Sequence, residues 1–221
     1  MNWHTSDVKM IVLALAMAAG FGLKGQVAHA AEQQVLTVAG GCFWCVEADF
    51  EKVPGVAEVV SGYTGGTTEN PTYKQVTAGR SGHYEAVQIM FDPAKVSRET
   101  LLSMFMRSVD PTDGGGQFCD RGESYRTAIF VSDQAEKALA EAVVAKAKAQ
   151  LGKTIVTPIL PAAPFYAAED YHQDYYKGDN RLLTRFGAIK QSDAYKRYRE
   201  GCGRDQRVRQ LWGDQAPFAG G

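Results

Sequence analysis

Apolar residues recur at every second position in some stretches of the chain and at every third or fourth in others, in the order strand, helix, strand, strand, helix, strand, then one more helix and strand. That order predicts an α/β fold, a ferredoxin-like two-layer α/β sandwich with extended loops and an irregular C-terminal tail. With 221 residues, 45% hydrophobic and 22% charged, the chain is long enough for one domain with a sizeable core. The formal net charge is −1, and the basic residues near the C-terminus are interleaved with acidic ones, so no nucleic acid or acidic polymer is expected as a partner.

Residues 1–30 stand apart. Met10 to Leu23 is apolar but short for a bilayer, and Ala28-His29-Ala30 fits a small-residue cleavage pattern. The expectation is a signal peptide over residues 1–30 and one domain over 31–221, exported to the periplasm or the medium, with no stable membrane association after cleavage. The weakly basic start, and Lys24 after the apolar run, leave an uncleaved anchor as the alternative. All four cysteines, Cys42, Cys45, Cys119 and Cys202, follow this segment. They are too few to build a disulfide scaffold in so long a domain, which makes reactivity the better reason for some of them.

Gln34 to Ala39 reads as a buried strand that stops at Gly40-Gly41. Phe43 to Lys52 follows as a short amphipathic helix, with Phe43, Val46 and Phe50 apolar and Glu47, Asp49 and Glu51 between them. Cys42 thus falls at a sharp turn into a helix, where backbone amides favour negative charge and therefore the attacking thiolate. A buried inert thiol, or a structural disulfide to Cys45, is the competing reading. Val56 to Tyr63 is a second strand and runs into a polar loop over residues 64–73, at whose end Tyr73 offers a hydroxyl. In the next strand, His83, Glu85, Val87, Ile89 and Phe91 share one face. A carboxyl on such a face has a raised pKa and can donate a proton near neutrality, unless Glu85 lies at a wet strand end or pairs with Arg80. His83 reads as a surface or loop-anchoring residue.

Ser97 begins a helix to Arg107 whose buried stripe is Leu101, Leu102, Phe105 and Met106. The glycine-rich stretch from Asp110 to Gly122 lacks the lysine and hydroxyl of a Walker loop and suggests close approach of backbone to a small ligand. Tyr125 to Val131 is a strand, Ser132 or Asp133 caps a helix to about Leu151, with Glu136 placed for a capping box after Asp133, and Thr154 to Leu160 is a further strand. Phe165 to Tyr176, both aromatic and acidic, reads as pocket lining or as packing over one end of the sheet. In the tail, a basic helix-like piece around Tyr195 to Arg199 precedes Gly201-Cys202-Gly203, whose glycines should make Cys202 mobile.

Six motifs, in order over about residues 35 to 176, carry a resemblance. They are Gly41-Cys42-Phe43-Trp44 with Glu47, Gly62-Tyr63-Thr64-Gly65-Gly66, Asn70-Pro71-Thr72-Tyr73, Gly82-His83-Tyr84-Glu85-Ala86-Val87, Asp120-Arg121-Gly122 with Tyr125-Arg126, and Ala168-Glu169-Asp170-Tyr171-His172-Gln173. Together they resemble the class A peptide methionine sulfoxide reductases. The resemblance implies that Cys42 attacks the sulfur of methionine-S-sulfoxide while Phe43 and Trp44 hold the substrate methyl. It implies that Glu85 protonates the oxygen, that Tyr73 and Tyr125 hydrogen-bond it, and that Asp120 positions substrate or water. Substrates would be oxidised proteins or free methionine sulfoxide. No bound cofactor or metal is implied, only an external reductant such as thioredoxin, and a monomer is expected.

Attack would leave a sulfenic acid on Cys42 that a second thiol resolves. Cys202 resembles the family's C-terminal resolving cysteines, Cys45 lies one helical turn from Cys42, and Cys119 adjoins Asp120, so all three stay open. Two positions depart from the commoner family pattern: Cys45, where glycine is frequent, and Val109, where histidine is frequent. The competing functional reading is an exported thiol-disulfide oxidoreductase using Cys42 and Cys45, in which Glu85 would have no role.

Overall fold

In the computed structural model, which describes residues 32–184 and 187–220, strand β1 (Gln34–Gly40) lies in the middle of the main sheet. Leu36 and Val38 face the main core and Ala39 the opposite side, as the two-residue period requires. The predicted signal segment, residues 1–30, lies outside the described residues. After β1 come α1 (Phe43–Phe50), β2 (Val56–Thr64), α2 (Tyr73–Thr77), β3 (Tyr84–Phe91) and α3 (Arg98–Ser108). They are followed by β4 (Gly116–Gln117), β5 (Asp120–Arg121), β6 (Thr127–Val131), α4 (Gln134–Leu151), β7 (Ile159–Pro161) and β8 (Tyr166–Ala167).

The sheet order is β7-β6-β1-β3-β2-β8. Its four inner strands are antiparallel, which is the ferredoxin-like order expected from the sequence. β7 adds in parallel beside β6 and β8 antiparallel beside β2. Val87, Ile89 and Phe91 of β3 pack with Phe43, Val46 and Phe50 of α1 and with Leu101, Leu102, Phe105 and Met106 of α3. The opposite face is a smaller cluster of Ala39, Tyr84, Ala86, Ala128 and Phe130. The predicted caps are in place: Ser97 Oγ accepts from the Thr100 amide at 3.1 Å and Asp133 Oδ1 from the Glu136 amide at 2.8 Å.

Several expectations change. The strand drawn over Thr154 to Leu160 shrinks to β7, because Pro158 cannot donate to a ladder and Thr157 instead pairs its hydroxyl with Thr127 at 2.8 Å. The polar loop before Tyr73 ends in a capping box at Thr72, so Tyr73 is the first residue of α2. His83 falls just before β3 and anchors that loop, accepting from the Gly66 amide at 3.1 Å and meeting the Thr68 carbonyl at 2.8 Å.

The C-terminal tail is not irregular. It forms a hairpin of β9 (Arg181–Thr184) and β10 (Gly187–Lys190), then α5 (Gln191–Gly201) and α6 (Arg204–Trp212). The buried residues of α5 and α6, Gln191, Tyr195 and Arg199, then Arg204, Val208 and Trp212, are spaced four apart. They form helical stripes, but mostly polar ones, so hydrophobic periodicity did not reveal them.

Their anchor is Asp49, 1% exposed, which faces Arg199 Nη1 at 2.8 Å and Arg204 Nε at 3.8 Å. The acidic face of α1, which the sequence would leave in water, is covered by this segment. Glu47 likewise accepts from Ser61 Oγ at 3.0 Å and from the Asp174 amide at 2.8 Å. Asp49→Ala would take from the buried Arg204 its carboxylate partner and leave Arg199 only the Asp205 carboxylate, and a loss of about 3–5 kcal/mol is expected in urea unfolding.

Candidate active site

At the end of β1 the chain turns through Gly41, whose φ is +79° and where an added Cβ would lie 2.5 Å from Gln117. The turn delivers Cys42 as the N-cap of α1 and Phe43 as its first residue. Opposite, the alternation of β3 turns Glu85 to the same side, 1% exposed. The Phe43 amide donates to Glu85 Oε2 at 3.1 Å, whereas Oε1 is buried without a hydrogen-bond partner among the described residues. Every other residue predicted to touch substrate converges here: Cys42, Phe43, Trp44, Tyr73, Glu85, Asp120 and Tyr125 line one cavity of about 50 Å³, joined by Tyr198 from α5.

Burial pushes the Glu85 carboxyl up to about 8, against the Phe43 amide that favours its charged form. It is therefore a protonated acid at neutral pH, as the strand pattern predicts. Burial likewise raises Tyr73 to about 12 and lifts Tyr125 well above the ordinary range, leaving both as neutral hydroxyl donors. The expectation of a ready thiolate at Cys42 is not met. Burial, then Cys45 and Glu85, push the Cys42 thiol well up. The Phe43 amide at the helix start serves Glu85, and the Cys45 amide closes on the Cys42 carbonyl at 3.1 Å. Cys45 behaves in the opposite way, held down by the hydrogen bond from the Cys42 thiol and by Arg204 and Arg199, against its burial. Of the two thiols, Cys45 is thus the one whose charged form its surroundings favour.

The aromatic and acidic stretch does not line the cavity itself but packs against Trp44 and Tyr73, which do. Tyr175 stacks on Trp44 with ring centroids 3.8 Å apart, and Trp44 Nε1 donates to His172 Nδ1 at 3.2 Å. Burial holds His172 down to about 4, so it is a neutral acceptor at physiological pH. Glu169 accepts from the Tyr73 amide at 2.9 Å and from the Tyr63 hydroxyl at 2.8 Å, and so sets the start of α2. His172 stood in one of the six motifs without a role, and Tyr175 was marked only as a member of an unusual segment. Tyr198 fell within the basic helix-like piece read around Tyr195 to Arg199, but without an apolar stripe nothing marked it as a site residue.

The glycine-rich stretch forms the β4–β5 hairpin. Its close approach is to the Gly41 backbone, through Gln117, and it presents Asp120 to the cavity. Cys202 is not mobile: it caps α5, with its amide on the Tyr198 carbonyl at 2.9 Å, and it is disulfide-bonded to Cys119. Cys42 and Cys45 are free and buried.

A family model described as peptide methionine sulfoxide reductase matches residues 34–215. The peptide methionine sulfoxide reductase MsrA 2 of Caulobacter vibrioides is 48% identical over 206 residues, 93% of this chain and 98% of its own. The MsrA of Bacillus licheniformis is 47% identical over 190 residues, 83% of this chain and 96% of its own. Among solved structures, methionine sulfoxide reductase A of Corynebacterium diphtheriae superposes with a TM-score of 0.60 at 30% identity, over 72% of this chain and 84% of that one. Mxr1 of Saccharomyces cerevisiae in reduced form gives 0.62 at 30% identity, over 66% and 84%.

The division of labour between the two free thiols is open to titration. Thiolate absorbance should rise first below the ordinary cysteine value of about 8.5. Cys45→Ser should remove that early phase, whereas an early phase that persists would assign it to Cys42 instead.

Proposed function

The chain belongs to the peptide methionine sulfoxide reductase family and is an oxidoreductase; from that premise we propose that it reduces methionine-S-sulfoxide, free or in proteins, through a sulfenic acid on Cys42. One observation carries the reading. The bare oxygen of a protonated, buried Glu85 and the thiol of Cys42 line the same small cavity. A sulfoxide oxygen leaves only when protonated, so the reaction needs a neutral acid beside a sulfur nucleophile.

In this reading the substrate methyl lies against Phe43 and Trp44, and the oxygen meets Glu85 together with the hydroxyls of Tyr73 and Tyr125. With two substituents of the pyramidal sulfur placed and its attack direction turned to Cys42, one epimer alone fits. Cys42 sulfur bonds to the sulfoxide sulfur while its proton passes to Cys45 and Glu85 protonates the oxygen. The sulfur–oxygen bond of the substrate then breaks, the hydroxyl passes to Cys42 as the bond between the two sulfurs breaks with its electron pair left on the substrate sulfur, and methionine leaves.

Cys45 is the thiol placed to resolve the sulfenic acid. Its sulfur attacks Cys42 sulfur, the hydroxyl departs as water, and a Cys42–Cys45 disulfide remains. Cys202 can take this part only after its bridge to Cys119 is opened. An external dithiol of the thioredoxin type returns two electrons and two protons. On the strength of the leader-like residues 1–30, we place this repair on exported proteins, and cell fractionation that finds the chain confined to the cytoplasm would refute that placement.

Cys42→Ser should abolish reduction of the S-epimer, and the R-epimer should not be turned over. Equal use of the R-epimer, or activity surviving the substitution, overturns the assignment. Glu85 donates only when protonated, so the single-turnover rate should fall as the pH rises through about 8. Glu85→Gln should lower that rate by about 10²–10⁴-fold and erase the alkaline limb.

A further inference from the structure

Asp120 and Tyr198 reach the cavity from opposite sides, one from the β4–β5 hairpin and one from α5. The Tyr198 hydroxyl donates to Asp120 Oδ2 and lines the cavity beside Cys42. Its ring stands edge-on to Trp44, centroids 6.2 Å apart. The same two elements are joined covalently one step away. Cys119 precedes Asp120, Cys202 lies one helical turn after Tyr198, and the two are disulfide-bonded with Cα atoms 4.9 Å apart. Bridge and hydrogen bond therefore close one small ring at the mouth of the cavity. The rest of the hairpin is tied elsewhere, Gln117 to the Asp110 backbone and Arg121 to Asp113. β4 and β5 pair through only two residues each, and Phe118, at a φ of +55°, rests on the Arg204 guanidinium at 4.8 Å.

We propose that Tyr198 is a positioning residue of the reductase, holding Asp120 in the wall of the substrate cavity, and that the Cys119–Cys202 bridge locks this pair and stays closed during turnover. The inference rests on the reading above, in which Cys45 resolves the sulfenic acid and leaves the other two cysteines free for this task. Asp120 faces Tyr198 from α5, Arg204 from α6, Glu85 from β3, and the hydroxyls of Tyr73 and Tyr125. Burial raises its carboxyl, and Tyr198 is the first group that counters this by donating to the charged form. Loss of that donor leaves Asp120 easier to protonate and free to turn away from the substrate.

The full chain, purified without added reductant, is given methionine-S-sulfoxide for a single turnover, and its cysteine links are mapped by mass spectrometry. The expected result is a Cys119–Cys202 link before and after, with one new Cys42–Cys45 link per methionine released. A Cys42–Cys202 link instead overturns the recycling reading and the lock together. Tyr198→Phe, which keeps the ring and its packing, should raise the half-saturating sulfoxide concentration about tenfold, the size of one charge-assisted hydrogen bond. It should also move the acid limb of the single-turnover rate to higher pH. Replacing both Cys119 and Cys202 by Ser should act in the same direction, and adding it to Tyr198→Phe should bring no further loss, since both act through Asp120. If Tyr198→Phe leaves both the half-saturating concentration and the acid limb unchanged, the positioning role is refuted while the recycling reading stands.

Discussion

The site depends on one hydrogen bond, from the amide of Phe43 to Glu85 Oε2. It joins the first turn of α1 to β3, and so fixes how far the nucleophile stands from the acid. It also uses one carboxylate oxygen and leaves the other bare in the cavity. A helix start can favour the charge of whatever it faces. Here its first amide faces the acid, and burial outweighs it, so Glu85 keeps its proton and Cys42 receives little help in losing its own. The thiol depends instead on Cys45, whose charged form is favoured by Arg199 and Arg204.

Those two arginines connect the chemistry to the C-terminal helices. Asp49 holds both of them beneath α1, and Arg204 also donates to the Gly40 carbonyl at 3.2 Å, in the turn that delivers Cys42. α1 is therefore buried on both sides, by the sheet and by the segment that brings Tyr175, Tyr198 and the arginines. A polar helix pair can serve as a lid of this kind because each buried charge finds a partner. The same pairs give Cys45 its electrostatic environment.

How much of this was legible follows the physics of each residue. The inner sheet and Glu85 were readable because a two-residue period assigns faces directly, and a carboxyl among Val87, Ile89 and Phe91 is conspicuous. Tyr73, Asp120 and Tyr125 were found through motifs, since nothing in a loop's own pattern says where it points. A helix around Tyr195 to Arg199 was legible, but the burial of Tyr198, Arg199 and Arg204 was hidden because their helices bury polar residues, and hydrophobic periodicity is blind to such stripes. Asp49 was hidden for the related reason that an acidic residue on a helix is read as solvated. The state of Cys42 was misjudged because helix position was visible in the sequence and burial was not.

A thiol that keeps its proton until substrate arrives has a consequence for selectivity among oxidants. Peroxides and related small electrophiles consume thiolates in proportion to their abundance and exposure. Cys42 is 6% exposed and protonated at rest, so its surroundings protect it from the oxidants that create its substrate. The cavity admits attack when a sulfoxide supplies both the electrophilic sulfur and the oxygen that Glu85 can protonate. Damage repair and resistance to damage thus arise from the same burial.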